Sequence, residues 1–358
     1  NITETEYANV MSQVKDACDI MVSAGKECPT IFEIETAVAF LWFYEKKPDV
    51  VLLETGMGGE LDATNLITHP LASVITSISM DHMQFLGDTI ASIARAKAGI
   101  IKVGCPVYAA EQNQVVKEVL TAVASEKDAP IVFADTQTDV LLEDKPGNMA
   151  FSHVLASGVG ITLKTVMAGV YQVKNAALAA EVAYALLPVM MSNEKKEAAG
   201  RSYAKSLEEH ILEIIRDGME KTRWPGRFEV VSTEPFLVID GAHNEDAAKQ
   251  LAATIENCFT NTRLTYIIGV LADKEHEKML RIMSPFAKRV YTVTPHNARA
   301  LDAERLAKEA SNYYENVQVC GSVEKALEEA LSHEEPVLAF GSLSYLGNLK
   351  CAFDSLKI

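Results

Sequence analysis

Glu54 closes the apolar run Val50-Val-Leu-Leu53 and is followed by Thr55-Gly-Met-Gly-Gly59. In a parallel sheet, ligands bind beyond the carboxyl ends of the strands. A carboxylate there, beside glycines that let backbone approach a ligand, suits a Mg²⁺ ligand or an acid/base group. The same residue could instead cap the following turn. Asp62-Ala-Thr-Asn65 continues the loop and, taken alone, reads as an Asx turn. Asp81-His82 follows a second predicted strand, either as a metal ligand with its orienting partner or as a satisfied loop histidine. Lys97 lies among Ala94, Ala96, Ala98 and Gly99. It is either a solvated lysine or a buried amine aimed at a site, and the rarity of buried lysine favours the first. Further on, Asp240-Gly-Ala-His-Asn244 occupies a strand-to-helix turn and can hydrogen-bond a ribose or a phosphate. Arg227 follows Trp224-Pro-Gly and could reach a phosphate, or be a linker charge beside a packing anchor.

The elements that must position these residues alternate. Apolar recurrence predicts helices over 4–22, 31–44, 89–101 and 113–125, with strands over 50–54, 72–79, 106–109 and 130–133 between them. Strands separated by helices imply right-handed crossovers and a parallel sheet. Residues 136–170 are richer in Thr, Val and Gly and predict a small antiparallel patch, followed by helices over 175–187 and 203–220 with a polar, exposed stretch at 192–200. After the break at Trp224-Pro-Gly the alternation restarts. Strands are expected over 236–240, 264–271, 289–294, 317–320 and 336–341, with helices over 245–257, 275–285, 302–313 and 322–332. The fold class is therefore α/β with two doubly wound domains, residues 1–226 and 227–358.

Composition narrows the function. The 358 residues are 48% hydrophobic and 23% charged, with a net charge of −16. Such an acidic chain is a poor partner for nucleic acid or anionic membrane, although backbone N–H groups and one or two cations suffice for a phosphorylated ligand. The six cysteines form no Cys-x-x-Cys pair, so a structural zinc site is not expected and the chain reads as reduced and cytoplasmic. No apolar run reaches about 18 residues, so no membrane span is expected; Glu181 and Pro188 break the best candidate, Ala176 to Met191.

Eight segments in order carry a resemblance over the whole chain. They are Pro29–Phe40, Glu54–Asn65, Ile78–Gly87, Ile93–Lys102, Tyr171–Ala177, Trp224–Glu229, Asp240–Asn244 and Gly341–Ser344. Together they resemble folylpolyglutamate synthase/dihydrofolate synthase, a branch of the Mur ligase superfamily of ATP-dependent amide ligases. The resemblance implies an ATPase central domain and a Rossmann-like C-terminal domain. It also implies that ATP turns a folate carboxylate into an acyl phosphate, which the amine of L-glutamate attacks. By position it implies Glu54 and His82 as Mg²⁺ ligands, and Lys97 as the lysine that is carbamylated, with Lys97 and His82 catalytic. Asn175, Arg227, Asp240 and His243 match contacts to the nucleotide, and Ser342 matches the approach to the incoming glutamate. A monomer is expected.

One departure stands out. The family's phosphate-cradling Gly-x-x-Gly-Lys-[Ser/Thr] loop is not found; the only Gly-Lys is Gly25-Lys26, followed by Glu27. The chain also begins at Asn1, with the look of a helix entrance. The expectation is an N-terminally truncated chain, inactive without that loop. The alternatives are a non-catalytic folate- or partner-binding relative, or another Mur-type amide ligase.

Overall fold

The computed structural model describes residues 1–80, 83–191, 200–274 and 276–356. Residues 192–199 of the expected exposed stretch at 192–200 therefore lie outside the described residues, as do Asp81 and His82. The chain divides into two compact units, residues 1–132 and 133–358.

In the first unit, α1 (Glu4–Ser23) and α2 (Ile31–Lys46) each start on a capping box, Thr3 with Glu6 and Thr30 with Glu33, which satisfies orphan N–H groups at the helix ends. The two helices meet through Val10, Val14 and Val38, with Ile34, Leu41 and Trp42 around them. Then follow β1 (Ser73–Ile75), α3 (Met83–Leu86), α4 (Ile90–Ala98), β2 (Val107–Ala109), α5 (Gln114–Glu126) and β3 (Ile131–Phe133). The sheet order is β1-β2-β3, and β1 pairs β2 in parallel. The expected strand at 50–54 does not form: the segment pairs with no strand, and Val50, Val51 and Leu52 are exposed, Leu52 at 92%. A buried strand needs a hydrogen-bonded neighbour and cover on both faces. The short sheet offers this run neither.

The second unit opens with the expected antiparallel patch, β4 (Val140–Lys145), β5 (Asn148–Val154) and β6 (Gly160–Thr165), its first hairpin turning at Pro146-Gly147. Two helices, α6 (Val170–Met190) and α7 (Gly200–Lys221), share its core of Met149, Phe151, Ile161 and Leu163. Helix α6 starts earlier than expected and runs through Pro188, which sits in the last turn and forfeits one hydrogen bond there. It is the one described helix apolar and long enough to cross a membrane, and a third of that stretch is buried inside the protein.

The main sheet holds β7 (Glu229–Thr233), β8 (Phe236–Ile239), β9 (Leu264–Ile268), β10 (Ala287–Thr292), β11 (Val317–Val319) and β12 (Val337–Phe340). Its order is β11-β10-β9-β12-β8-β7, parallel except for β7, a strand not anticipated from the sequence. Helices α8 (Glu245–Cys258), α9 (His276–Met283), α10 (Ala303–Ala310), α11 (Val323–Leu331) and α12 (Leu343–Leu356) follow the strands. Alternate strand residues enter two cores, one holding Val238, Tyr266, Ile268 and Phe340, the other Leu237, Ile239, Ile267 and Tyr345. Both faces are covered, as a parallel sheet requires.

Candidate functional site

In the first unit the glycine loop is docked on the end of α4. Glu60 N–H donates to Ala96 O at 3.1 Å, and Asn65 Nδ2 donates to Gly99 O at 3.2 Å. A Cβ on Gly59 would stand 2.8 Å from the Ala96 and Lys97 carbonyls, and one on Gly99 would stand 2.4 Å from Glu60 Cα, so both glycines are required by close approach. Asp62-Ala-Thr-Asn65 does form the Asx turn: Asp62 Oδ1 accepts from Thr64 N at 3.0 Å, and Oδ2 accepts from Met57 N at 2.8 Å. Partial burial works to raise the Asp62 carboxyl, but these bonds and that from Thr64 Oγ1 outweigh it and hold it below its usual value.

Glu54 is exposed, a correction to its expected place at the end of a buried strand. Lys97 is half-buried on α4, and His82 lies outside the described residues. No three His, Cys, Asp or Glu side chains gather as a metal cage among the described residues. Mg²⁺, however, typically takes one or two carboxylates plus substrate oxygens and water. An exposed Glu54 fits that donor set.

In the second unit the carboxyl edge of the main sheet gathers Arg227, Asp240 and His243. Asp240 directly follows β8 and is 5% exposed. Its Oδ2 accepts from Phe228 N at 2.7 Å and its Oδ1 from Ala242 N at 2.8 Å, which fixes the carboxylate against both flanking turns. Burial pushes its carboxyl up to about 6, against the pull of those donors and of Arg227. Gly241 N donates to Gly226 O at 2.7 Å, tying the Trp-Pro-Gly-Arg break to the Asp240 turn. A Cβ on Gly241 would lie 3.3 Å from Arg227 Nη1, so the guanidinium passes over this glycine. His243 Nδ1 meets Gly241 O at 2.8 Å; a carbonyl only accepts, so Nδ1 carries a proton and, in the neutral ring, Nε2 is the acceptor. Asn244 caps α8 through Ala247 N at 2.9 Å.

Helix α6 brings a further set. Gly169, at φ +112°, turns the chain into it, and Tyr171 packs over that glycine. Burial and the nearby Asp240 carboxylate push the Tyr171 hydroxyl above its ordinary value, with Arg227 and Gln172 pulling the other way. Gln172 Oε1 accepts from Asn175 Nδ2 at 3.0 Å, and Asn175 is exposed. Tyr171 and Gln172 received no role from the sequence, although they stand in the same short motif as Asn175; only the fold reveals that Tyr171 faces Asp240 and Arg227. Ser342 is buried and its Oγ is shared with Ser344, at 2.8 Å to Oγ and 3.2 Å to N, which organises the entrance to α12.

The Mur ligase middle-domain family model matches residues 3–183, and the Mur ligase glutamate ligase domain matches residues 226–343. The dihydrofolate synthase/folylpolyglutamate synthase of Bacillus subtilis is 33% identical over 356 residues, 98% of this chain and 78% of that protein. Against further relatives from Haloferax volcanii and Lacticaseibacillus casei, the chain spans 36% and 60% of their lengths. Among solved structures, Mycobacterium tuberculosis folylpolyglutamate synthase complexed with ADP and AMPPCP is similar at TM-score 0.81 and 26% identity, covering 99% of this chain and 79% of that one. Escherichia coli FolC in complex with DHPP and ADP is similar at TM-score 0.77 and 27% identity, covering 100% and 78%.

Proposed function

We propose a function from one premise: this chain belongs to the Mur ligase family, in its folylpolyglutamate synthase/dihydrofolate synthase branch. Its reaction is the ATP-dependent ligation of L-glutamate to a folate carboxylate through an acyl phosphate. The observation that carries this reading is the joint placement of Arg227, Asp240 and His243 at one sheet edge. That edge is where nucleotides bind in open α/β sheets.

Each residue has a defined task in this reading. Arg227 meets the phosphates as a charge-assisted donor. Asp240 is held rigid by two backbone donors, so it accepts a ribose or adenine donor without reorganising. His243 offers Nε2 as an acceptor, and Asn175 meets the nucleotide from α6. Ser342 lies on the approach of the incoming glutamate. Glu54 and His82 hold Mg²⁺, which neutralises phosphate charge. Lys97, carbamylated, supplies a carboxylate-like group in the same region. The functional boundary falls between residues 226 and 227, and the protein works as a cytoplasmic monomer.

The test is calorimetric titration with ADP, followed by labelled-glutamate incorporation into tetrahydrofolate and dihydropteroate with ATP and Mg²⁺. Arg227→Ala is expected to weaken ADP binding at least about tenfold, as for loss of a charge-assisted pair. Wild-type protein that stays folded and binds no ADP overturns the reading. ADP binding with no glutamate incorporated is what the missing Gly-x-x-Gly-Lys loop predicts for this chain; incorporation that stays absent when that loop is supplied favours a non-catalytic relative.

A further inference from the structure

Away from that edge, the second unit buries three ionisable side chains together. His153, on β5, is wholly buried, and Asp139 and Glu181 are 4% and 6% exposed. His153 Nδ1 lies 2.8 Å from Asp139 Oδ1. His153 Nε2 lies 3.6 Å from Glu181 Oε1, within ion-pair reach but too long for a hydrogen bond, and it has no hydrogen-bond partner. The same Glu181 oxygen accepts from Ala156 N at 2.7 Å, in the turn between β5 and β6. One carboxylate of α6 thus ties that helix to the antiparallel sheet. Buried charges persist only when paired, and a cluster of three is not needed to fill a core.

We propose that the Asp139–His153–Glu181 cluster is a proton-dependent lock that seats α6 on the antiparallel sheet. His153 and Glu181 are then positioning residues for Tyr171 and Asn175 at the other end of the helix. This last consequence rests on the nucleotide reading of Asn175 given above.

The physics follows from the imidazole's donors. Charged, it has two N–H groups, one for each carboxylate; neutral, it has one. Deprotonation removes the positive charge that lies between two buried carboxylates, and with it the N–H that faces one of them. The titratable groups facing His153 are Asp139, entering β4, and Glu181, on α6. From the other elements, β6 sets Ile161 opposite His153, and α7 brings Ile211, Leu212 and Ile215 to the same core. Burial pulls the imidazole pKa down, but the Glu181 and Asp139 carboxylates outweigh it and hold it above its ordinary value. A histidine raised on folding contributes stability that is complete below its unfolded value and is lost as pH rises through the folded one. The lock is closed near pH 6 and loosens in the alkaline direction.

The experiment is amide hydrogen exchange over residues 170–190 from pH 6 to 9, corrected for intrinsic rates, with ADP titrations at the same pH values. Wild-type protection of α6 is expected to fall as pH rises through the titration of the buried histidine. In His153→Gln the profile is expected to be flat, and in Glu181→Gln the fall moves to lower pH. A flat wild-type profile, or a fall left unchanged by both variants, overturns the lock. If His153→Gln does not fold, the wild-type profile and the Glu181→Gln shift still decide. ADP affinity in wild type is expected to carry a pH-dependent loss in step with α6 that His153→Gln removes, leaving only the dependence of the nucleotide contacts themselves. ADP profiles that are the same in both proteins while α6 loosens overturn the positioning role. An α6 profile as expected, with no ADP bound at any pH, preserves the lock and removes the nucleotide reading instead.

Discussion

The two units hold their candidate residues by different means. In residues 1–132 a sheet of three-residue strands leaves Leu52, Leu61 and Leu66 largely exposed, Leu61 at 97%, and Glu54 stands in the open. The local order there comes from backbone contact, glycine against helix, at Gly59 and Gly99. In residues 133–358 the central strands β8, β9 and β12 are buried almost residue by residue, and Asp240 is fixed by that packing. The difference teaches that a motif can be intact in two places while only one of them has its geometry enforced by a core.

Substitutions can break or sharpen that contrast. The largest effect is expected from Tyr345→Ala. This residue is fully buried and its hydroxyl donates to Ile267 O at 2.9 Å and Phe340 O at 2.8 Å, so its loss should cost about 4 kcal/mol in urea unfolding of the second unit. A cost under about 1 kcal/mol would mean that the core is not what holds the site.

Next comes Asp240→Asn, read against pH. A carboxyl raised from 3.8 to about 6 on folding makes the folded protein the better proton binder, so stability falls as pH rises from about 4 through about 6. The variant lacks this slope. Relative to wild type it should gain up to about 3 kcal/mol across that window, measured as the difference in urea midpoints. Parallel profiles for the two proteins would refute the buried-charge account.

Gly99→Ala tests the first unit. Its Cβ would overlap Glu60 backbone, so a loss of about 2 kcal/mol and faster proteolysis of the 54–65 loop are expected. Leu61→Ser should be smallest, within about 0.5 kcal/mol, because the side chain already meets solvent. A larger loss from Leu61→Ser than from Gly99→Ala would invert the contrast.

Legibility from sequence followed the same division. The Asx turn at Asp62, the helices and the individual strand segments of the second unit are set by neighbours a few residues away, and they were readable. The fate of Val50–Leu53 depends on which strand lies beside it, which an apolar run does not encode. Asp240 was placed at its strand end, but its donor from Phe228 is brought there by the antiparallel pairing of β7 with β8, which was not anticipated from the sequence. Tyr171 and His153 were missed because their partners, Asp240 and Glu181, come together only through the tertiary fold.

The pairing of β8 with β12 has a consequence for how the protein is made. Asp240 N donates to Ala339 O at 2.9 Å, and Leu237 sits opposite Val337, about a hundred residues later in the chain. During synthesis the emerging β8 therefore has β7 on one side and nothing on the other until residue 340 has cleared the ribosome. The α6 and α7 layer over β5 and β6 can close long before that. Newly made chains should then carry a finished antiparallel module and an open-edged sheet, the stage at which a chaperone would find most to hold.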